Sequence, residues 1–235
     1  MPKSPETLKV NVTESDSVTA ILYPASSPRL NTTLILGHGA GANQLSPFMK
    51  LFAGGLSERG VDAITFNFLY MERGRGAPDP KAKLESCYQS VIDAAVAHKK
   101  LKSNRLAIGG KSMGGRIASQ VAAANGKNVD ALVFLGYPLH PPGKPEQLRD
   151  AHLKDIRAPM LFIQGSKDPF GTSDEIRSII KKHKLSATLY VIEGGDHSFK
   201  VPKSAGLSQS EVYESMMNKI VEWLKSAVVK AASGG

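Results

Sequence analysis

Residues 110–114 read Gly-Lys-Ser-Met-Gly, a string that two chemistries share. Gly-Lys-Ser closes the loop with which nucleotide-binding proteins grip phosphates. Gly-x-Ser-x-Gly is the turn that presents a nucleophilic serine. A phosphate loop needs glycine five residues before Gly110, and that position holds Arg105, so its cradle is incomplete. The serine reading asks for more residues. A hydroxyl needs a base to take its proton, and the base needs a carboxylate to orient it. His197 in "EGGDHSF" and Asp168 in "QGSKDPFG" supply both, in the chain order Ser, Asp, His. Asp196 adjoins His197 and is badly placed to orient its ring. The segment "GYPLHPPG" after Leu135 reaches no acid before Glu146. Ser112 is therefore the candidate nucleophile, His197 the base and Asp168 the acid. The competing reading of the pentapeptide alone is a glycine-rich entry to a helix.

An attacking serine also needs donors for the oxyanion that forms. "LILGHGAGAN" is rich in glycine, so its backbone N–H groups can approach a ligand closely. Ala40 N–H and Met113 N–H are the expected pair, with Gly39 as substitute for Ala40. His38 is expected to brace this loop rather than to take part in chemistry. His98 and His183 lie in lysine-rich stretches and are expected to be solvated, and His152 falls in a polar connection. No histidine has the spacing of a metal ligand set, so no metal or other cofactor is implied. Arg73 and Arg75 in "YMERGRGAPDP", Lys111 in the turn and Arg116 in the helix beyond it are candidates for meeting an anionic group of the substrate. The competing reading pairs the arginines with local acids such as Glu72 and Asp79.

These residues need a scaffold. Two strand-like pieces, Leu8–Thr13 and Val18–Tyr23, open the chain. Short apolar runs follow at Thr33–Leu36, Ala63–Phe66, Arg105–Gly109, Ala131–Leu135, Met160–Gln164 and Ala187–Ile192. Too short for helices and apolar on both faces, they read as buried parallel strands. Helical patterns at Pro47–Ser57, Lys81–Leu101, Met113–Ala124 and Ser173–Lys182 alternate with them. A last helix over about Gln209–Val228 places Val212, Met216, Ile220, Trp223 and Leu224 on one face. Thr172 with Glu175, and Ser208 with Glu211, form the spacing of capping boxes. The alternation predicts an α/β fold with a mostly parallel sheet and helices on both faces. Ser112 then sits on a sharp strand-to-helix turn, where Gly110 and Gly114 leave room. Asp168 and His197 follow later strands, at the edge where such sheets place their sites.

Composition sets the outer bounds. The 235 residues, 41% hydrophobic and 22% charged, suit one domain over 1–235. No run approaches the roughly 18 apolar residues of a membrane helix, and the N-terminus lacks the apolar stretch of a secretory signal. Cys87, the only cysteine, is expected to pack in a helix, and a reducing cytoplasm fits best. The net charge of +9 is spread without aromatic interleaving or a nucleic-acid motif, so neither nucleic acid nor membrane is an expected partner. The expected partner is a small acyl substrate. Oligomeric state is not legible.

At this point the chain resembles the α/β-hydrolase superfamily over nearly its whole length, through HGAG, GKSMGG, SKDPFG and GGDHSF. "FNFLYMERGRGAPDP" and "GYPLHPPGKPEQLR" carry a narrower resemblance. It is to the family of testis-expressed protein 30 and the hydrolase-like domain of NSL complex subunit 3, with bacterial relatives often called dienelactone-hydrolase-like. Dienelactone hydrolases proper use a cysteine nucleophile. Here the position is Ser112, so that substrate is not carried over. The resemblance implies a serine hydrolase of esters, thioesters or similar acyl bonds working through an acyl-enzyme. It also leaves an alternative, since some members are better regarded as silent scaffolds or binding proteins. Many relatives insert a lid after the sixth strand. Tyr137–Arg157 is too short for a substantial one, so an open site is expected.

Overall fold

The computed structural model describes residues 4–232. Its strands are β1 (Glu6–Asn11), β2 (Ser17–Tyr23), β3 (Thr32–Gly37), β4 (Asp62–Phe66), β5 (Arg105–Lys111), β6 (Ala131–Leu135), β7 (Met160–Gly165) and β8 (Ala187–Ile192). They form one eight-stranded sheet in the order β1-β2-β4-β3-β5-β6-β7-β8. β1 and β2 pair antiparallel, as do β2 and β4, and every other neighbouring pair is parallel.

The apolar runs behave as two-sided strands because successive side chains enter different cores. In β6, Leu132 and Phe134 join one core while Ala131, Val133 and Leu135 join the other. The first core is closed by α3 (Lys81–Ala97), α4 (Met113–Asn125) and α5 (Ser173–His183). The second is closed by α1 (Pro47–Glu58) and α6 (Gln209–Ala232). The face of α6 expected from its spacing is the buried one, from Val212 to Leu224. Both capping boxes form. Glu175 N–H reaches Thr172 Oγ1 at 3.3 Å and Thr172 N–H reaches Glu175 Oε2 at 2.8 Å; Glu211 N–H reaches Ser208 Oγ at 3.2 Å.

Some expectations change. β8 is an edge strand and stays half-exposed rather than apolar on both faces, because only β7 flanks it. α3 stops at Ala97, since His98 turns to extended backbone at φ −71° and ψ 124°. A short helix, α2 (Leu69–Glu72), occupies a stretch that read as loop. His183 is not solvated: it shares Asp150 with Lys182, at 2.8 and 3.1 Å. His98 buries Nδ1 without a partner. Cys87 is fully buried, and burial pushes its thiol up to about 12, which keeps it protonated and inert. Between β6 and β7 the only regular structure is a turn of 3₁₀ helix at Leu153–Asp155, and among the described residues no lid covers the sheet edge. Among the described residues no helix is long and apolar enough to cross a membrane.

Candidate active site

The C-terminal edge of the sheet is where the strands deliver their polar residues. β5 ends at Lys111, and Ser112 is the residue before α4, held by its N–H on Leu135 O at 3.0 Å. Its backbone lies at φ 50° and ψ −116°, the strained turn that lifts a side chain clear of the sheet. The flanking glycines are required by β3. A Cβ on Gly110 would lie 2.2 Å from Gly37 O, and one on Gly114 would lie 2.1 Å from the same atom. Room for the turn is thus set by a neighbouring strand's backbone, a contact that the pentapeptide alone does not reveal.

Asp168 follows β7 and His197 follows β8. His197 Nε2 stands 2.9 Å from Ser112 Oγ, and His197 Nδ1 stands 2.8 Å from Asp168 Oδ2. The carboxylate can only accept, so Nδ1 carries the proton and the Nε2 lone pair faces the serine hydroxyl. Asp168 is 1% exposed, and its charge is matched by donors. Oδ1 accepts from Phe170 N–H at 2.8 Å, and Oδ2 also accepts from Gln164 Nε2 at 3.0 Å. Phe170 lays its ring against the imidazole at 4.2 Å between centroids. Asp196, the rejected acid, is used by its own loop: its Oδ1 accepts from Ser198 N–H and Lys200 N–H at 2.8 and 2.9 Å.

Three supporting residues escaped the reading of the sequence. Gln164 is fully buried at the end of β7. It accepts from Tyr137 N–H at 2.8 Å and donates to Gly171 O at 2.6 Å as well as to Asp168. A lone amide in the apolar run "MLFIQG" was the available signal. Phe170 gave none. Tyr137 links β6 to Gln164 and is fully buried.

The loop after β3 runs beside the serine, since a Cβ on Gly39 would lie 3.8 Å from Ser112 Cβ. His38 braces it in one tautomer. Nε2 accepts from Phe68 N–H at 3.2 Å, so Nδ1 donates to Gly39 O at 2.8 Å. Burial lowers its pKa and keeps the ring neutral. Tyr70 Oη donates to Ala40 O at 2.8 Å, which fixes the next peptide. Among the described residues neither Ala40 N–H nor Met113 N–H has a hydrogen-bond acceptor.

The basic candidates separate. Arg73 is paired with Asp16, and Arg75 with Asp79 at 2.6 Å. Lys111 turns under the histidine: Nζ donates to His197 O at 2.6 Å and lies 5.2 Å from the Phe199 ring centroid. A Cβ on Gly136 would sit 3.1 Å from Lys111 Nζ and 3.5 Å from both Asp168 Oδ2 and His197 Nδ1, so the three groups converge. Burial lowers the Lys111 pKa to about 8 against the pull of Asp168 and Asp196. Arg116 has no ion pair among the described residues. Nor do three His, Cys, Asp or Glu side chains converge there as a metal site would need. A cleft of about 340 Å³ lined by Thr33, Leu101, Asn104 and Asp130 lies at the opposite ends of the strands.

Comparison with known proteins agrees with the geometry. Residues 30–225 match the family described as "Alpha/beta hydrolase domain". A dienelactone hydrolase from Anabaena variabilis superposes with a TM-score of 0.73 at 20% identity, covering 94% of this chain and 96% of that one. A serine hydrolase from Xanthomonas campestris, described as lacking a lid, gives 0.68 at 16% identity over 98% and 96% of the two chains. An esterase from Pyrococcus furiosus gives 0.73 at 16% identity over 95% and 91%. At such identities the likeness is one of fold. The family match spans most of the chain, and the sheet order, the strained serine turn and the open edge accord with it: the chain belongs to the α/β-hydrolase superfamily.

Proposed function

We propose that this protein is a serine hydrolase that cleaves an ester, thioester or similar acyl bond of a small, anionic substrate. One observation carries the reading: the unbroken hydrogen-bonded chain from buried Asp168 through His197 to Ser112 Oγ, at 2.8 and 2.9 Å. In the proposed reaction His197 Nε2 takes the serine proton as Oγ attacks the acyl carbon. Asp168 holds the tautomer and stabilises the imidazolium. Ala40 N–H and Met113 N–H, with Gly39 N–H as substitute for Ala40, receive the oxyanion, a contribution of roughly 3 kcal/mol per donor. His197 then protonates the leaving group, and water attacks the acyl-enzyme through the same base. No step calls on a cofactor. The free thiol of Cys87 supports a reducing, cytoplasmic setting. "FNFLYMERGRGAPDP" and "GYPLHPPGKPEQLR" support placement beside testis-expressed protein 30 and the hydrolase-like domain of NSL complex subunit 3.

The test is covalent labelling with a fluorophosphonate probe. Labelling should map to Ser112 and vanish in Ser112→Ala and His197→Ala. A folded wild-type chain that takes no label would mark a binding protein on a hydrolase frame.

A further inference from the structure

Arg116 lies one turn into α4 from Ser112, with its N–H on Ser112 O at 3.1 Å. Residues four apart share a helix face, and side chains lean toward the helix N-terminus, so Arg116 leans toward the serine end. Its Nε is buried and has no hydrogen-bond partner. Among the described residues Arg149, from the connection between β6 and β7, has no acid partner either; its Nη1 donates to Pro138 O at 3.4 Å. The two residues are held by one network. Ser119 Oγ donates to Arg116 O at 2.7 Å, Tyr137 Oη donates to Arg149 O at 2.8 Å, and the two hydroxyls stand 3.5 Å apart. Burial first, and then the charge of Arg149, lowers the pKa of Arg116, so the guanidinium groups feel each other. The acids whose fields reach this cluster are engaged elsewhere. Glu85 pairs with Lys81 at 3.5 Å, and Asp150 takes Lys182 and His183. Two partly desolvated guanidinium groups, anchored through one hydroxyl network and without an ion pair among the described residues, are unfavourable alone and are matched by an oxyanion that both can fork.

We propose that Arg116 and Arg149 together bind an oxyanion group, carboxylate or phosphate, carried by the acyl substrate, an inference that rests on the hydrolase function above. Arg73 and Arg75, committed to Asp16 and Asp79, are not the selecting groups.

The experiment compares three activated esters of equal length that end in a methyl, a carboxylate or a phosphonate group. The readout is the ratio of kcat/KM for each anionic ester to that for the neutral one, which is independent of the fraction of active protein. Arg116→Gln and Arg149→Gln should each lower the ratio about tenfold to a hundredfold, the range for losing a hydrogen bond to a charged group. Added salt should compress the wild-type ratio. Which anionic ester has the higher ratio identifies carboxylate or phosphate. Arg157→Gln, which removes an equal charge elsewhere, should leave the ratio within about twofold, as expected of a surface charge. A ratio unmoved by Arg116→Gln and Arg149→Gln, or lowered equally by Arg157→Gln, overturns the proposal. A second arm separates it from the hydrolase reading. Ser112→Ala is titrated with the unreactive amide analogues of the three esters. Tighter binding of an anionic analogue, lost in the arginine variants, supports the site even if no ester is turned over. Equal binding of all three overturns it.

Discussion

Replacing Lys111 by methionine should separate activity from stability. The wild-type amine donates to His197 O at 2.6 Å and sits where Asp168 and His197 converge, so it ties the serine turn directly to the histidine loop. Losing a hydrogen bond from a charged donor costs about 1.5–3 kcal/mol, and the His197 carbonyl would be left without that donor. If the loop relaxes, the 2.9 Å approach of Nε2 to Ser112 Oγ is lost, and kcat/KM should fall about tenfold to a hundredfold. Stability should move the other way. Burial lowers the amine's pKa from its ordinary 10.5 to about 8, so the folded state disfavours the charged form. At about 1.4 kcal/mol per pH unit, that disfavour is of order 3 kcal/mol at neutral pH. Between pH 8 and 10.5 the unfolded chain binds a proton that the fold does not, so this residue's contribution to stability rises with pH across that window. Methionine fills a similar volume without the charge, so Lys111→Met should keep or raise Tm at pH 7 while activity drops. Its stability should also lose the rise between pH 8 and 10.5. Thermal melts from pH 6 to 10.5, beside kcat/KM on an activated ester, read both. A Tm lowered by several degrees, or undiminished activity, would refute the reasoning.

The strained serine turn gives a second expectation. Ser112→Gly should abolish turnover yet leave Tm unchanged or higher. Relief of a backbone at φ 50° is worth about 1–3 kcal/mol, against about 0.5–1 kcal/mol for glycine's extra freedom when unfolded. A marked fall in Tm would show that the turn is relaxed. His152 gives a third. Burial, helped by Lys81 and Arg116, lowers its pKa from 6.5 to about 4. Between those values the unfolded chain takes up a proton that the fold refuses, so stability falls as pH drops from 6.5 to 4. The full shift corresponds to about 3 kcal/mol, and solvent contact reduces it to about 1 kcal/mol. His152→Gln should therefore flatten the acid limb of urea-unfolding midpoints in that window, and an unchanged slope would count against it.

How much was legible follows from how locally each feature is encoded. The strands from β3 to β7 announce themselves because both faces are buried, which leaves an apolar run with no polar phase. That Ser112, Asp168 and His197 would meet at one sheet edge was legible because each follows a strand-like run, and chain order then did the rest. What stayed hidden depends on contacts between distant segments. Gly110 and Gly114 are forced by Gly37 of β3. Lys111 read as a candidate for meeting an anionic substrate group because it adjoins Ser112 in the turn. Its path under His197 follows from where the loop after β8 crosses. Arg73 found its partner in Asp16, on the opening hairpin, and sequence proximity to Glu72 gave no hint of it.

A second serine–histidine pair shows why distance alone does not identify a nucleophile. Ser119 Oγ stands 2.7 Å from His152 Nε2, closer than Ser112 stands to His197. Yet Ser119 is fully buried within α4, and its proton is committed to Arg116 O at 2.7 Å. The imidazole must then donate to the hydroxyl, which reverses the proton flow that a base requires. No carboxylate accepts from the other nitrogen of His152 among the described residues, whereas Asp168 receives His197 Nδ1. Ser119 also lies inside the helix ladder of α4. Ser112 differs on each count, and the difference originates in its backbone. Ser112 lies outside the ladder as the residue before α4, and Met113, as the first helical residue, has an N–H with no acceptor among the described residues. The strained turn at φ 50° sets the hydroxyl 2.9 Å from His197 Nε2, on a ring whose tautomer Asp168 fixes from behind. The same pair of side chains is therefore structural at Ser119, and at Ser112 it has the geometry that the proposed hydrolase chemistry needs.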